Sequence, residues 1–185
     1  DLQNAYNTNE HFVLKDPRLC ILFEGMIPCL VESLVQLDFL LILRSPVEVV
    51  ISLCKAEKIS PYDALNLWIG SVFRAECMSR PYSRNILTYY QLLNRPQAIV
   101  DSLSLNWNPS LMESRLDQAT SFLNPSLYRT KVDNVRESFV ATNPELTSLL
   151  VLAEQIFDCF QYPTPDIALT SEKLKYQWLE ILADR

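Results

Sequence analysis

The sequence predicts an α/β layer fold, a small parallel sheet covered by helices. Two observations carry this. Short apolar runs alternate with segments of helical period, which indicates parallel pairing. The run "DFLLIL", residues 38–43, is apolar after its first residue, as expected of a strand covered on both faces.

Taken in order, "FVL" at 12–14 is a first short strand that ends in "KDPR". Pro17 permits a helix start, and "RLCILFEGMIPCLVESL" reads as a helix interrupted or kinked at Pro28. Residues 38–43 form the second strand. Ser45, Pro46 and Glu48 then give a capping box with proline first in the helix. "SPYD" repeats that start, with Ser60 as cap, and Leu65, Trp68, Ile69 and Val72 follow at helical spacing. "RNILTY", residues 84–89, reads as a third strand, followed by "YQLLNRP" and a short helix from Pro96.

Beyond about residue 108 the pattern becomes helical. "NPELTSLLVLAEQIFDCF" places Leu146, Leu149, Leu150, Ala153, Ile156, Phe157 and Phe160 on one face. "QYPTPD" links it to a final, more charged helix from Ser171 to Arg185. The expected organisation is an α/β domain over residues 1–130 with a C-terminal helical extension, 131–185, packed on it. Three short strands make a thin sheet for so many helices, so a further strand is expected upstream of Asp1.

Composition bounds the function. The 185 residues carry 16 basic and 22 acidic side chains, a net charge of −6, which argues against a nucleic-acid partner. No apolar run reaches the roughly 18 residues needed to span a bilayer, so no membrane partner is expected. Five cysteines without CxxC spacing read as reduced core residues of a cytoplasmic protein. One histidine, His11, removes most histidine-based metal sites, and no metal is expected. The two glycines, Gly25 and Gly70, lie in helical stretches, so these residues hold neither a Walker loop nor a GxGxxG turn.

The chemistry concentrates at "LLILRSPVEVVISLC", residues 40–54. Ligands of open α/β sheets bind beyond the carboxyl ends of the strands, where helix N-termini attract anions. Arg44 stands at such an end, just before a helix start. Ser52 follows Ser45 by seven residues, about two turns, so both point the same way from the helix. A guanidinium fork and a hydroxyl so placed suit a terminal phosphate. The competing reading is an arginine paired with a carboxylate beside a neutral helical serine.

"LRSPVEVVISL" resembles the 3′-phosphate-binding segment of the PAPS-dependent sulfotransferases, Arg-x-Pro-x-(Asp/Glu)-Val-x-x-Ser, with Arg44, Pro46, Glu48, Val49 and Ser52 in register. "FVLKDPRL" is similar to the strand end of the bacterial, carbohydrate-type branch. "ALNLW", "ILTYYQLLNRP" and "FLNPSLYR" resemble later segments, in consistent order over roughly residues 10–130. The resemblance implies a P-loop-like three-layer fold. Its function would be transfer of a sulfuryl group from PAPS to an acceptor hydroxyl or amine, on a carbohydrate or small molecule. Arg44 and Ser52 would hold the 3′-phosphate of PAPS or its product PAP, and Tyr89 would lie near the adenine. Arg18 is a further nucleotide-binding candidate, with anchoring of its own turn against Asp16 as the other reading. Lys15 would stabilise charge developing on the leaving phosphate. Asp16 is the candidate base, although a carboxylate beside Lys15 and Arg18 should stay ionised and weakly basic.

The family's Gly-Ser-Thr-rich loop for the 5′-phosphosulfate has no counterpart here, so the chain reads as the domain without its first strand and loop. The histidine base of the small-molecule branch is also missing. The alternative is a non-catalytic relative, a nucleotide-binding or protein-interaction module. Its acidic charge and amphipathic C-terminal helices suit a protein partner or a homo-oligomer.

Overall fold

The computed structural model describes residues 13–32, 36–96, 99, 135–162 and 166–183. The chain divides into two compact units, residues 1–36 and 37–185. The boundary expected near residue 130 lies outside the described residues, as does "FLNPSLYR".

The first unit contributes one helix, α1 (Leu19–Glu32), which runs through Pro28. The expected first strand is not formed. Val13 and Leu14 are irregular and exposed, Val13 at 82%, and Phe12 lies outside the described residues. A run this short has no ladder to join before Asp16 turns the chain. Its backbone carbonyl accepts from Leu19 N–H at 3.1 Å and its carboxylate accepts from Arg18 N–H at 2.8 Å.

The second unit is an α/β structure, mostly helical. Its order is β1 (Asp38–Leu43), α2 (Pro46–Glu57), α3 (Pro61–Ser79), β2 (Ser83–Thr88), α4 (Tyr89–Asn94), α5 (Val135–Thr142), α6 (Thr147–Gln161) and α7 (Ile167–Ala183). A 3₁₀ turn at Pro144–Leu146 leads into α6. Strands β1 and β2 pair in parallel, Asp38 opposite Ser83 through Leu43 opposite Thr88. They form a two-stranded sheet among the described residues.

The two helix starts behave differently. Ser60 accepts a hydrogen bond from Asp63 N–H at 3.1 Å, the expected cap of α3. Ser45 makes no side-chain cap bond, so the expected capping box is not formed, and Pro46 alone marks the start of α2. Glu48, at the partner position, binds Arg44. Lys58, in the left-handed region at φ 55°, ends α2.

The core lies between α3 and α6. Ala64, Leu65, Ile69 and Phe73 of α3 meet Leu149, Leu150, Ala153, Ile156 and Phe160 of α6 in one buried cluster, which Val47 and Val50 of α2 join. Each such aliphatic side chain contributes about 1.5–3 kcal/mol by burial. Helix α7 closes the layer through Trp178, whose ring edge sits 3.3 Å from where a Cβ on Gly70 would lie. The glycine permits that approach. All five cysteines are free, but they are not the core residues expected: Cys29 and Cys77 are exposed, and none is fully buried.

Candidate functional site

The parallel register sets the site. Leu43 and Thr88 end their strands side by side, so the next residues, Arg44 and Tyr89, emerge together at the carboxyl edge of the sheet. The Arg44 guanidinium carbon stands 5.4 Å from the centre of the Tyr89 ring, a cation–π contact. Tyr89, expected as the last residue of a strand, is instead the first residue of α4. Thr88 caps that helix, accepting from Gln91 N–H at 3.1 Å while the Gln91 side chain accepts from Thr88 N–H at 2.8 Å.

Two further bonds hold Arg44. Its Nε donates to Glu48 Oε2 at 2.7 Å, one turn along, and Glu48 is 1% exposed. The Trp68 indole N–H donates to the Arg44 backbone carbonyl at 3.2 Å, pinning the strand exit from below. The fork is therefore aimed by a carboxylate on one edge and an aromatic face on the other.

These groups border a cavity of about 260 Å³. Arg44, Ser45 and Glu48 line one side, Thr88, Tyr89 and Tyr90 another, and Phe157 and Gln161 of α6 close it. Ser52 is exposed on α2 and does not belong to this lining. The wall from α6 was not anticipated. Helical spacing places Phe157 on the core face, but it is only partly buried against the cluster that holds the fully buried Ile156 and Phe160. Its signal was Gln161, a polar residue one turn after Phe157 at the end of an apolar face.

Lys15, Asp16 and Arg18 belong to the first unit. Lys15 is exposed. Arg18 grips Asp16 with both edges of its fork, Nε to Oδ1 at 3.0 Å and Nη2 to Oδ2 at 2.7 Å. Those bonds, with the backbone bond from Arg18, hold the Asp16 carboxyl far below the usual carboxylate range. An acid so strong is a poor general base. Burial pushes the Cys54 and Cys159 thiols up, so neither is a thiolate nucleophile at neutral pH.

A shallow groove of about 330 Å³ between α6 and α7 offers one carboxylate, Glu180, and no cation, so it does not suit an anion. Among the described residues no helix is long and apolar enough to cross a membrane. Comparison with family models, curated proteins and solved structures finds no match.

Proposed function

We propose that the second unit holds the 3′-phosphate end of PAPS or PAP and that the protein acts as a sulfotransferase of P-loop-like fold. The observation that carries this reading is the Arg44–Tyr89 contact at the carboxyl edge of a parallel sheet. Both residues stand at matching positions of the sulfotransferase pattern, and the site lies where α/β folds bind ligands. The carboxylate on Nε belongs to that pattern too: Glu48 orients the guanidinium and leaves its terminal nitrogens for a phosphate. A cavity of about 260 Å³ falls just under the usual range of roughly 300–1,000 Å³ for small-molecule sites. It suits a phosphorylated ribose better than an entire nucleotide.

In the reaction, an acceptor oxygen or nitrogen attacks the sulfur, the S–O bond to the 5′-phosphate breaks and PAP leaves. The acceptor proton passes to a base. Arg44 would fix the 3′-phosphate end of the nucleotide, so positioning and electrostatics would carry the catalysis.

The second reading is a non-catalytic interaction module. It is favoured by the same Arg44–Glu48 pair, which accounts for a strand-end arginine without any ligand. Calorimetry with PAP separates the two. Micromolar binding to the whole chain, weakened at least tenfold by Arg44→Lys, supports the nucleotide site, because lysine keeps the charge beside Glu48 but not the fork. A folded protein with no heat of binding leaves the interaction module.

A further inference from the structure

Helix α7 carries two faces. Ile167, Leu174, Trp178 and Ile181 pack on the core. On the opposite side Leu169, Tyr176 and Leu179 are 59%, 67% and 46% exposed, a large apolar outlay for one surface helix. Leu169, Tyr176 and Ala183 recur every seven residues, the spacing of a helix–helix seam. Along one edge of that seam lie Lys173 and Glu180, both exposed and, among the described residues, in no ion pair. They too are seven residues apart, too far to pair within the helix. Glu172, beside them, is already engaged by Arg80 at 3.0 Å.

The order of the two charges selects the partner. A two-fold axis passing between Tyr176 and Gln177 lays a second α7 antiparallel to the first. It brings Lys173 of each copy opposite Glu180 of the other, twice per dimer. The same operation sets Tyr176 against Tyr176 and Leu179 of the second copy, and Leu169 beside the small Ala183. A parallel pairing in register would set lysine against lysine and glutamate against glutamate. The face is thus self-complementary in one orientation, as an isologous interface requires.

We propose that this face of α7 is the docking surface for a second copy of the chain, paired antiparallel through Lys173 and Glu180. The helix has 17 residues, about 25 Å of length. A seam of that extent is smaller than the standard interface of about 1,600 Å², so the dimer dissociates on dilution and forms at high protein concentration.

Sedimentation velocity over a range from low micromolar to near-millimolar protein tests this. The wild-type chain shifts from monomer to dimer across that range. Lys173→Glu and Glu180→Lys each turn both ion pairs into like-charge contacts, weakening association by about tenfold or more. The double variant restores it. Mixing the two single variants also restores dimers, because the remaining lysines meet the remaining glutamates, an outcome that a folding defect cannot produce. Thermal unfolding of each variant monitors the fold. A chain that stays monomeric throughout, or dimers indifferent to both reversals, overturns the proposal. So does failure of the mixture to recover.

Discussion

Among its described residues the second unit buries two glutamates, each 1% exposed and each bound by an arginine one helical turn away, and they are put to opposite use. Glu76 is enclosed. Arg80 grips both its oxygens, Nε to Oε1 at 2.9 Å and Nη2 to Oε2 at 2.7 Å, Arg84 reaches Oε1 at 3.1 Å, and the Ser171 hydroxyl donates to Oε2 at 3.1 Å. Arg80 also holds Glu172, so two carboxylates and two guanidiniums balance, joining α3, β2 and α7. Glu48 instead sits beside a cavity, and its arginine turns toward a tyrosine ring. A buried carboxylate whose arginines are all turned inward is a strut. One whose arginine borders open volume can serve a ligand. The difference lies in where the remaining guanidinium donors point, not in the pair itself.

The largest expected effect comes from dismantling the strut. Glu76→Gln leaves Arg80 and Arg84 partly buried against a neutral amide. Breaking such a pair from one side costs about 3–5 kcal/mol, read as a fall in the urea midpoint. Glu48→Gln should cost clearly less stability, because Arg44 can turn to solvent through the cavity, but it should weaken PAP binding by loosening the fork. Equal losses of stability from the two variants would erase the distinction drawn above.

The acid limb sharpens the same contrast. Burial alone would raise the Glu76 carboxyl, but the hydrogen bonds and charges of Arg80 and Arg84 outweigh it and bring the group below its ordinary value of 4.5. The folded state therefore binds this proton more weakly than the unfolded chain. Its contribution to stability is complete above pH 4.5 and is lost as the pH falls through the lower folded value. Denaturation of wild type and Glu76→Gln should differ most near neutrality and converge as the pH drops below 4.5. A gap that stays constant into strong acid would show that the charge on Glu76 does not supply the stability.

The same contrast explains what the sequence made legible. Strand β1, strand β2 and the Ser60 start of α3 were readable because each depends on neighbours in the chain. So was Arg44 at a strand end, where an apolar run stops at a charge. The strut was not readable: Glu76 and Ser171 are 95 residues apart, and nothing local marks them as partners. The Ser45 capping box failed because the Ser45 side chain makes no cap bond, while Glu48 at the partner position accepts from the arginine just before the helix. The "FVL" strand failed for the reverse reason, since three apolar residues fix no ladder without a partner. The role of Phe157 also escaped, because periodicity gives the face of a helix but not which neighbour ends short and leaves a cavity.

The smallest effects come from two indole N–H groups, one on each side of the comparison. Trp68 donates to the Arg44 carbonyl at 3.2 Å, and Trp178 donates to Asn66 Oδ1 at 2.8 Å, far along the chain from the cavity residues. Phenylalanine at either position keeps most of the packing and removes the donor, so each variant should lose about 1 kcal/mol in thermal or urea unfolding. Their effects on PAP should diverge. Trp68→Phe frees the backbone that carries Arg44, and a fork displaced at its root should bind the 3′-phosphate several-fold more weakly. Trp178→Phe loosens α7 against α3 and should leave that affinity where it was. If both variants lose affinity in proportion to stability, the Arg44 cavity responds only to the general tightness of the core, and Trp68 has no particular hold on it.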